Sequence, residues 1–220
     1  MVTYQEERKE RAFEMAAVAP MTEVVAAIAI IVLAILGLAN VAPGQMIAIA
    51  TIIVGAALLL QGANTAGEYS RLLLTSPRGS GVGAAEFGGG VTIEFLAGGV
   101  GIVLGILSLL ATDVLRLAPA ALIVFGGALI LSGGITARMA TMASEPAAAD
   151  PAVQAVFQQA SAAAGGAQVL IGLAAMILGI LAYVPINAGI LLLVGLLAVG
   201  AALLMTSATV GGAVMSLFRS

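Results

Sequence analysis

Six stretches of about twenty residues, long enough to match the hydrocarbon thickness of a bilayer, carry almost no charge: 21–39, 46–66, 92–111, 119–139, 167–184 and 187–210. Each is rich in Ala, Leu, Ile and Gly and shows no strict alternation, so helices are expected rather than a β-barrel. Only 9% of the 220 residues are charged and 61% are hydrophobic, whereas a soluble domain carries about 25% charged residues. A chain this poor in charge cannot cover a globular surface, and the lipid bilayer is its expected solvent. The fold class expected is all-α: a polytopic membrane protein with six transmembrane helices arranged as three parallel helical-hairpin repeats.

The repeats are visible in the residues. VGAALLLQGA at 54–63, FGGALILSGG at 125–134 and VGAALLMTSA at 199–208 are near copies. IVLAILGLA at 31–39, IVLGILSLL at 102–110 and MILGILAYV at 176–184 form a second set. The separations agree across both sets. Glu23 to Glu94 and Gly55 to Gly126 are each 71 residues, and Glu94 to Gln168 and Gly126 to Gly200 are each 74. A two-helix unit aligned without gaps is an internal repeat. Because each unit crosses twice, all copies face the same way, related by an axis along the membrane normal.

These units divide the chain into a polar N-terminal segment (1–20), hairpin repeats at 21–66, 92–139 and 167–212, connections at 67–91 and 140–166, and a C-terminal tail at 213–220. The short connections on the opposite side are NVAPGQ at 40–45, TDVLRLA at 112–118, and the residues around Pro185. Arg8, Lys9, Arg11, Arg71, Arg78, Arg138 and Arg219 fall on the side of the termini, and Arg116 alone on the other. Cationic residues favour the cytoplasmic side, so both termini are expected there. The N-terminal segment contains four Glu and makes a poor signal peptide, so it is expected to stay on the mature protein. Residues 146–166 place Val153, Val156, Phe157 and Ala160 at helical spacing, suited to an interfacial amphipathic helix. Tyr69 and Tyr183 are the tyrosines best placed as belt residues.

Small residues mark the expected packing faces. In the first helices Gly98, Gly101 and Gly105 correspond to Ala27, Ile30 and Ala34 and to Gly172, Ala175 and Gly179. Their 3, 4 spacing lies along one helical face. In the second helices Gly55 and Gly62 correspond to Gly126 and Gly133 and to Gly200 and Ser207. Lipid offers no hydrophobic reason for helices to associate, so close backbone approach must supply much of the attraction.

Two polar sets interrupt the apolar spans. Glu23, Glu94 and Gln168 sit at one repeat position, about a turn inside the helix start. There they serve either as interfacial acids favoured by the helix dipole or as a polar ring converging at the cytoplasmic mouth, with Glu68 at its rim. Gln61, Ser132 and Thr206 form the second set, suited to hydrogen bonding between helices. The chain has no Cys and no His, so disulfides, thiolate nucleophiles and imidazole shuttles are excluded. No nucleophile–base pair or metal cluster stands out, and no enzyme, cofactor or metal site is expected. GSGVGAAEFGGG at 79–90 lacks the Lys-Ser/Thr of a phosphate-binding loop. The net charge of −3 gives no footprint for nucleic acid. The remaining Gly/Ala faces could carry contacts in a homo-oligomer, and the residues point to no particular small-molecule or ion ligand.

With its three hairpins, each a small residue followed by Ile/Met-x-Leu-small-Ile-Leu, a short turn and a VGAALLLxG-like stretch, the chain resembles the HdeD-type acid-resistance membrane proteins over roughly 21–212. Gly105 with Ile106 and Leu107, and the set Gly55, Gly126 and Gly200, carry most of the likeness. The resemblance implies six spans built from a short two-helix unit, a bacterial inner membrane, and a role in acid or envelope stress. It supplies no catalytic residues. Two functions are therefore expected to compete: a non-enzymatic protein acting by packing, oligomerisation or permeability, and a small channel or transporter with a polar mouth.

Overall fold

A computed structural model of the chain describes the backbone of residues 22–75, 81–110, 114–142, 151–184 and 186–217. Side chains are described for 22–63, 93–110, 114–134, 165–184 and 186–207, with Gln159 and Ala163. The expected N-terminal segment lies outside these residues, as do the side chains of Glu68, Tyr69, Val153, Val156, Phe157 and Ala160.

Among the described residues the structure is helical, with no strand. Six helices follow one another: α1 (Thr22–Leu38), α2 (Pro43–Thr75), α3 (Gly81–Leu110), α4 (Val114–Met142), α5 (Pro151–Leu181) and α6 (Ala188–Leu217). Four contain stretches long and apolar enough to cross a membrane: Pro43–Ala63, Ile93–Leu110, Val114–Gly134 and Ala188–Ser207. The apolar stretches Thr22–Leu38 and Gly165–Leu181 are shorter.

Helices run well past the apolar runs. The connections expected at 67–91 and 140–166 are mostly helix, since α2 continues to Thr75, α3 starts at Gly81, α4 continues to Met142 and α5 starts at Pro151. Ala, Glu, Gln, Leu and Arg in these stretches are good helix formers whether or not they are apolar. The connection expected at 112–118 is also shorter, because α4 begins at Val114 with Pro119 inside it. A proline this close to the helix start removes one backbone bond and is accommodated. Pro43 and Pro151 open α2 and α5, where the missing N–H would have had no helical partner.

The turn after α1 is a Schellman cap. Val41 N donates to Leu36 O at 3.0 Å and Asn40 N to Gly37 O at 3.0 Å, with Asn40 in the left-handed region at φ 65°. Ala42 and Asn187 immediately precede α2 and α6 and also have positive φ, 41° and 58°.

The helices form two shells. α2, α4 and α6 touch one another and make the centre. α3 lies along α2 and α4, and α5 along α4 and α6. α1 packs on α6, where Gly37 meets Leu193 and Gly200 meets Ile30 and Ile31. The inner helices share a buried stripe of Ile47, Thr51, Val54 and Leu58 on α2, Ala118, Leu122, Phe125 and Leu129 on α4, and Leu192, Leu196, Val199 and Leu203 on α6, none more than 2% exposed. The Thr51 hydroxyl, the one polar group on it, donates to the Ile47 carbonyl of its own helix at 2.7 Å. The outer helices turn bulky side chains outward, among them Val25, Val32 and Ile35 on α1, Leu96, Val103 and Ile106 on α3, and Leu170, Ile177 and Ile180 on α5.

Candidate functional site: buried polar residues at the helix seams

Glycine lets neighbouring backbones touch, and the expected packing residues lie where this happens. A Cβ added to Gly55 on α2 would stand 2.7 Å from the Gly98 carbonyl oxygen and 2.7 Å from the Ile102 nitrogen on α3. One added to Gly126 on α4 would stand 2.5 Å from the Gly172 carbonyl oxygen and 2.7 Å from the Met176 nitrogen on α5. Further along the same seams, Gly105 faces Ile52 and Ala48, Gly179 faces Ile123 and Pro119, and Gly133 faces Gly165 and Gln168. In each case the higher number on one helix meets the lower on the other, so the seams are antiparallel. Gly101 has a different role, since the Phe125 ring of α4 fills the space its side chain would occupy. Gly62 is buried on α2.

The polar residues occupy one end of these seams. Glu94 and Gln168 are buried, at 6% exposure each, and Glu23 is half-buried. The Glu94 carboxyl pairs with the Ser132 hydroxyl of α4, and the Glu23 carboxyl with the Ser207 hydroxyl of α6. Gln168 packs beside Gly133 of α4. Glu23 and Glu94 lie within electrostatic range of each other. The three therefore face protein, each from an outer helix against an inner one, and the apolar stripe of the inner helices, given above from Ile47 to Leu58, Ala118 to Leu129 and Leu192 to Leu203, ends before the level of Ser132 and Ser207. Glu23 keeps one carboxyl oxygen, Oε1, buried without a hydrogen-bond partner.

The second polar set bonds locally as well. Thr206 Oγ1 donates to the Ala202 carbonyl at 3.0 Å, and Ser132 Oγ lies 3.4 Å from the Leu129 carbonyl. Hydroxyls in helices commonly fold back this way. Gln61 is half-buried.

Ser207 was expected only as a packing residue in a glycine position, yet its hydroxyl, which also donates to the Leu203 carbonyl at 2.8 Å, meets Glu23. The signal lies in the sequence: a polar residue stands at the position aligned with Gly62 and Gly133. Ser108 is a second buried hydroxyl, 1% exposed, with Oγ unpartnered, and no sequence argument singled it out. Among the described residues no three Asp or Glu gather as a metal site would need.

Long apolar helices, a core closed by glycine contacts and polar groups confined to interhelical niches define an α-helical integral membrane protein. Compared with known proteins, the chain matches no family model, no curated protein and no solved structure.

Proposed function

We propose that the chain is a non-enzymatic, six-span protein of a bacterial inner membrane, built from three parallel copies of one helical hairpin with both termini cytoplasmic. It serves in acid or envelope stress through packing, oligomerisation or control of permeability. The observation that carries the packing role is the buried stripe on α2, α4 and α6, which among the described residues from Ile47 to Leu58, Ala118 to Leu129 and Leu192 to Leu203 is apolar except for Thr51. The repeat reading is supported by matched exposure at matched positions: 65% at Val25, 60% at Leu96 and 69% at Leu170. Leu60, Leu131 and Met205 agree in the same way. The six-span reading treats α1 and the apolar part of α5 as short spans, within the 17 to 25 residues that cross a bilayer. The stress role rests on the resemblance to HdeD-type proteins alone.

A second reading, a small channel or transporter, is favoured by Glu94 and Gln168 being buried at one end of the bundle. Proton and cation flux into proteoliposomes, measured from pH 4 to pH 8 for the natural chain and for Glu23→Gln and Glu94→Gln, separates the two. The packing role expects flux no greater than in empty vesicles at any pH. Flux that the substitutions abolish would replace it with the channel reading.

A further inference from the structure

The helices close into a ring through three related seams, α2 on α3, α4 on α5 and α6 on α1, and the three are not built alike. At the first two, the inner glycine meets backbone: Gly55 against Gly98 and Ile102, and Gly126 against Gly172 and Met176. At the third, the three atoms nearest a Cβ on Gly200 are side-chain atoms, Ile30 Cγ2 at 2.9 Å, Ile31 Cγ1 at 3.1 Å and Ile30 Cβ at 3.3 Å. The cause lies in α1, which has Ala27, Ile30 and Ala34 where α3 has Gly98, Gly101 and Gly105 and α5 has Gly172, Ala175 and Gly179. Side-chain atoms of α1, and not its carbonyl or amide groups, are therefore the nearest neighbours of Gly200 on α6. Close backbone approach is a main source of attraction between helices in lipid, and this seam has less of it.

Two further observations fall at the same place. Glu23 at the polar end of the seam is half-buried with one orphaned oxygen, whereas Glu94 and Gln168 are buried. The other two seams also join helices consecutive in the chain, across 76–80 and 143–150, while α6 and α1 stand at opposite ends of the sequence with no short connection to limit their separation.

We propose that the bundle opens laterally at the α1–α6 seam and there alone, α1 moving away from α6 and admitting water or a lipid headgroup to Glu23. This depends on the ring geometry and not on the stress role.

The chain has no Cys, so spin labels can be placed in matched pairs on lipid-facing positions that leave the core intact: Val25→Cys with Met205→Cys, Leu96→Cys with Leu60→Cys, and Leu170→Cys with Leu131→Cys. Each of these residues is at least half exposed. Distance distributions in lipid nanodiscs are expected to be about twofold broader for the α1–α6 pair, or to show a second, longer population, because a seam in exchange populates two arrangements. Ala27→Gly, which copies Gly98 and Gly172, is expected to narrow that distribution. Three equally narrow distributions, a broader one at another seam, or no narrowing with Ala27→Gly would overturn the proposal. Failure of the proposed function would appear instead in the flux experiment, which these pairs do not probe.

Discussion

At the scale of single residues, an added methyl group separates the glycines of this chain into two kinds. Gly126→Ala and Gly172→Ala would drive a Cβ to within 2.5 and 2.7 Å of the partner's carbonyl oxygen, and backbone cannot yield as a side-chain tip can. Each is expected to destabilise by about 1–3 kcal/mol, the usual cost of overpacking. Gly99→Ala and Gly134→Ala meet nothing within 4 Å and should be neutral or gain up to about 1 kcal/mol from helix propensity. Gly200→Ala should fall between, because the nearest atoms, Ile30 Cγ2 at 2.9 Å and Ile31 Cγ1 at 3.1 Å, belong to side chains and not to backbone. Unfolding titrations in mixed detergent micelles rank all five. Ala42 offers a gain of another kind. Its φ of 41° puts a Cβ where left-handed geometry costs about 1–2 kcal/mol. Ala42→Gly is expected to recover part of that in the same titration, and a loss would mean the turn uses the alanine side chain.

Between elements, volume is traded across the seams. The Phe125 ring of α4 occupies the space left by Gly101 of α3. The positions aligned with them are Ile30 and Val54 and Ala175 and Val199, so the largest side chain of the set, Phe125, goes with the smallest, Gly101. Phe125→Ala alone should cost about 3–5 kcal/mol, as for a buried ring removed from a close-packed core. Gly101→Ala alone should also destabilise, since the ring must move. Gly101→Ala with Phe125→Val reproduces the Ala175 and Val199 pair and should be less destabilising than the sum of its parts by about 0.5–3 kcal/mol. Additive effects would show that the two positions do not share one space. The Leu122 side chain against Gly195 and the Leu193 side chain against Gly37 follow the same rule between α4 and α6 and between α6 and α1.

At the scale of the whole molecule, the antiparallel seams set the direction of every helix. α3 and α5 both run against α4, and α1 runs against α6, so the three outer helices share one sense and their ends at Leu38, Leu110 and Leu181 lie at one end of the bundle. In the proposed orientation, with the Lys- and Arg-rich side cytoplasmic, that end lies outside the cytoplasm. Asn40→Cys and Asn187→Cys are therefore expected to react with a membrane-impermeant maleimide in intact cells. A cysteine added after Ser220 should react only after lysis. The reverse pattern would invert the orientation, and labelling of Asn40→Cys without Asn187→Cys would break the three-pair arrangement.

How much of this was legible beforehand follows from the kind of interaction involved. Helix identity and membrane residence could be read from residues alone, because both depend on local hydrophobicity that is additive along the chain. The 71- and 74-residue separations pair Val25 with Leu96 and Leu170, which are similarly exposed, as a repeated pattern of burial would make them. The polar positions were legible too, since a carboxylate in an apolar run is conspicuous. Their surroundings were not: whether Glu94 faces a central passage or the Ser132 hydroxyl depends on which helices stand inside and which outside, and two apolar helices of similar composition do not announce that order. Tertiary packing alone placed α2, α4 and α6 at the centre, filled it with Val, Leu and Phe side chains, and set side-chain atoms of α1 against Gly200 where α3 and α5 set backbone against Gly55 and Gly126, because contact distances between helices depend on pairs of residues far apart in the chain.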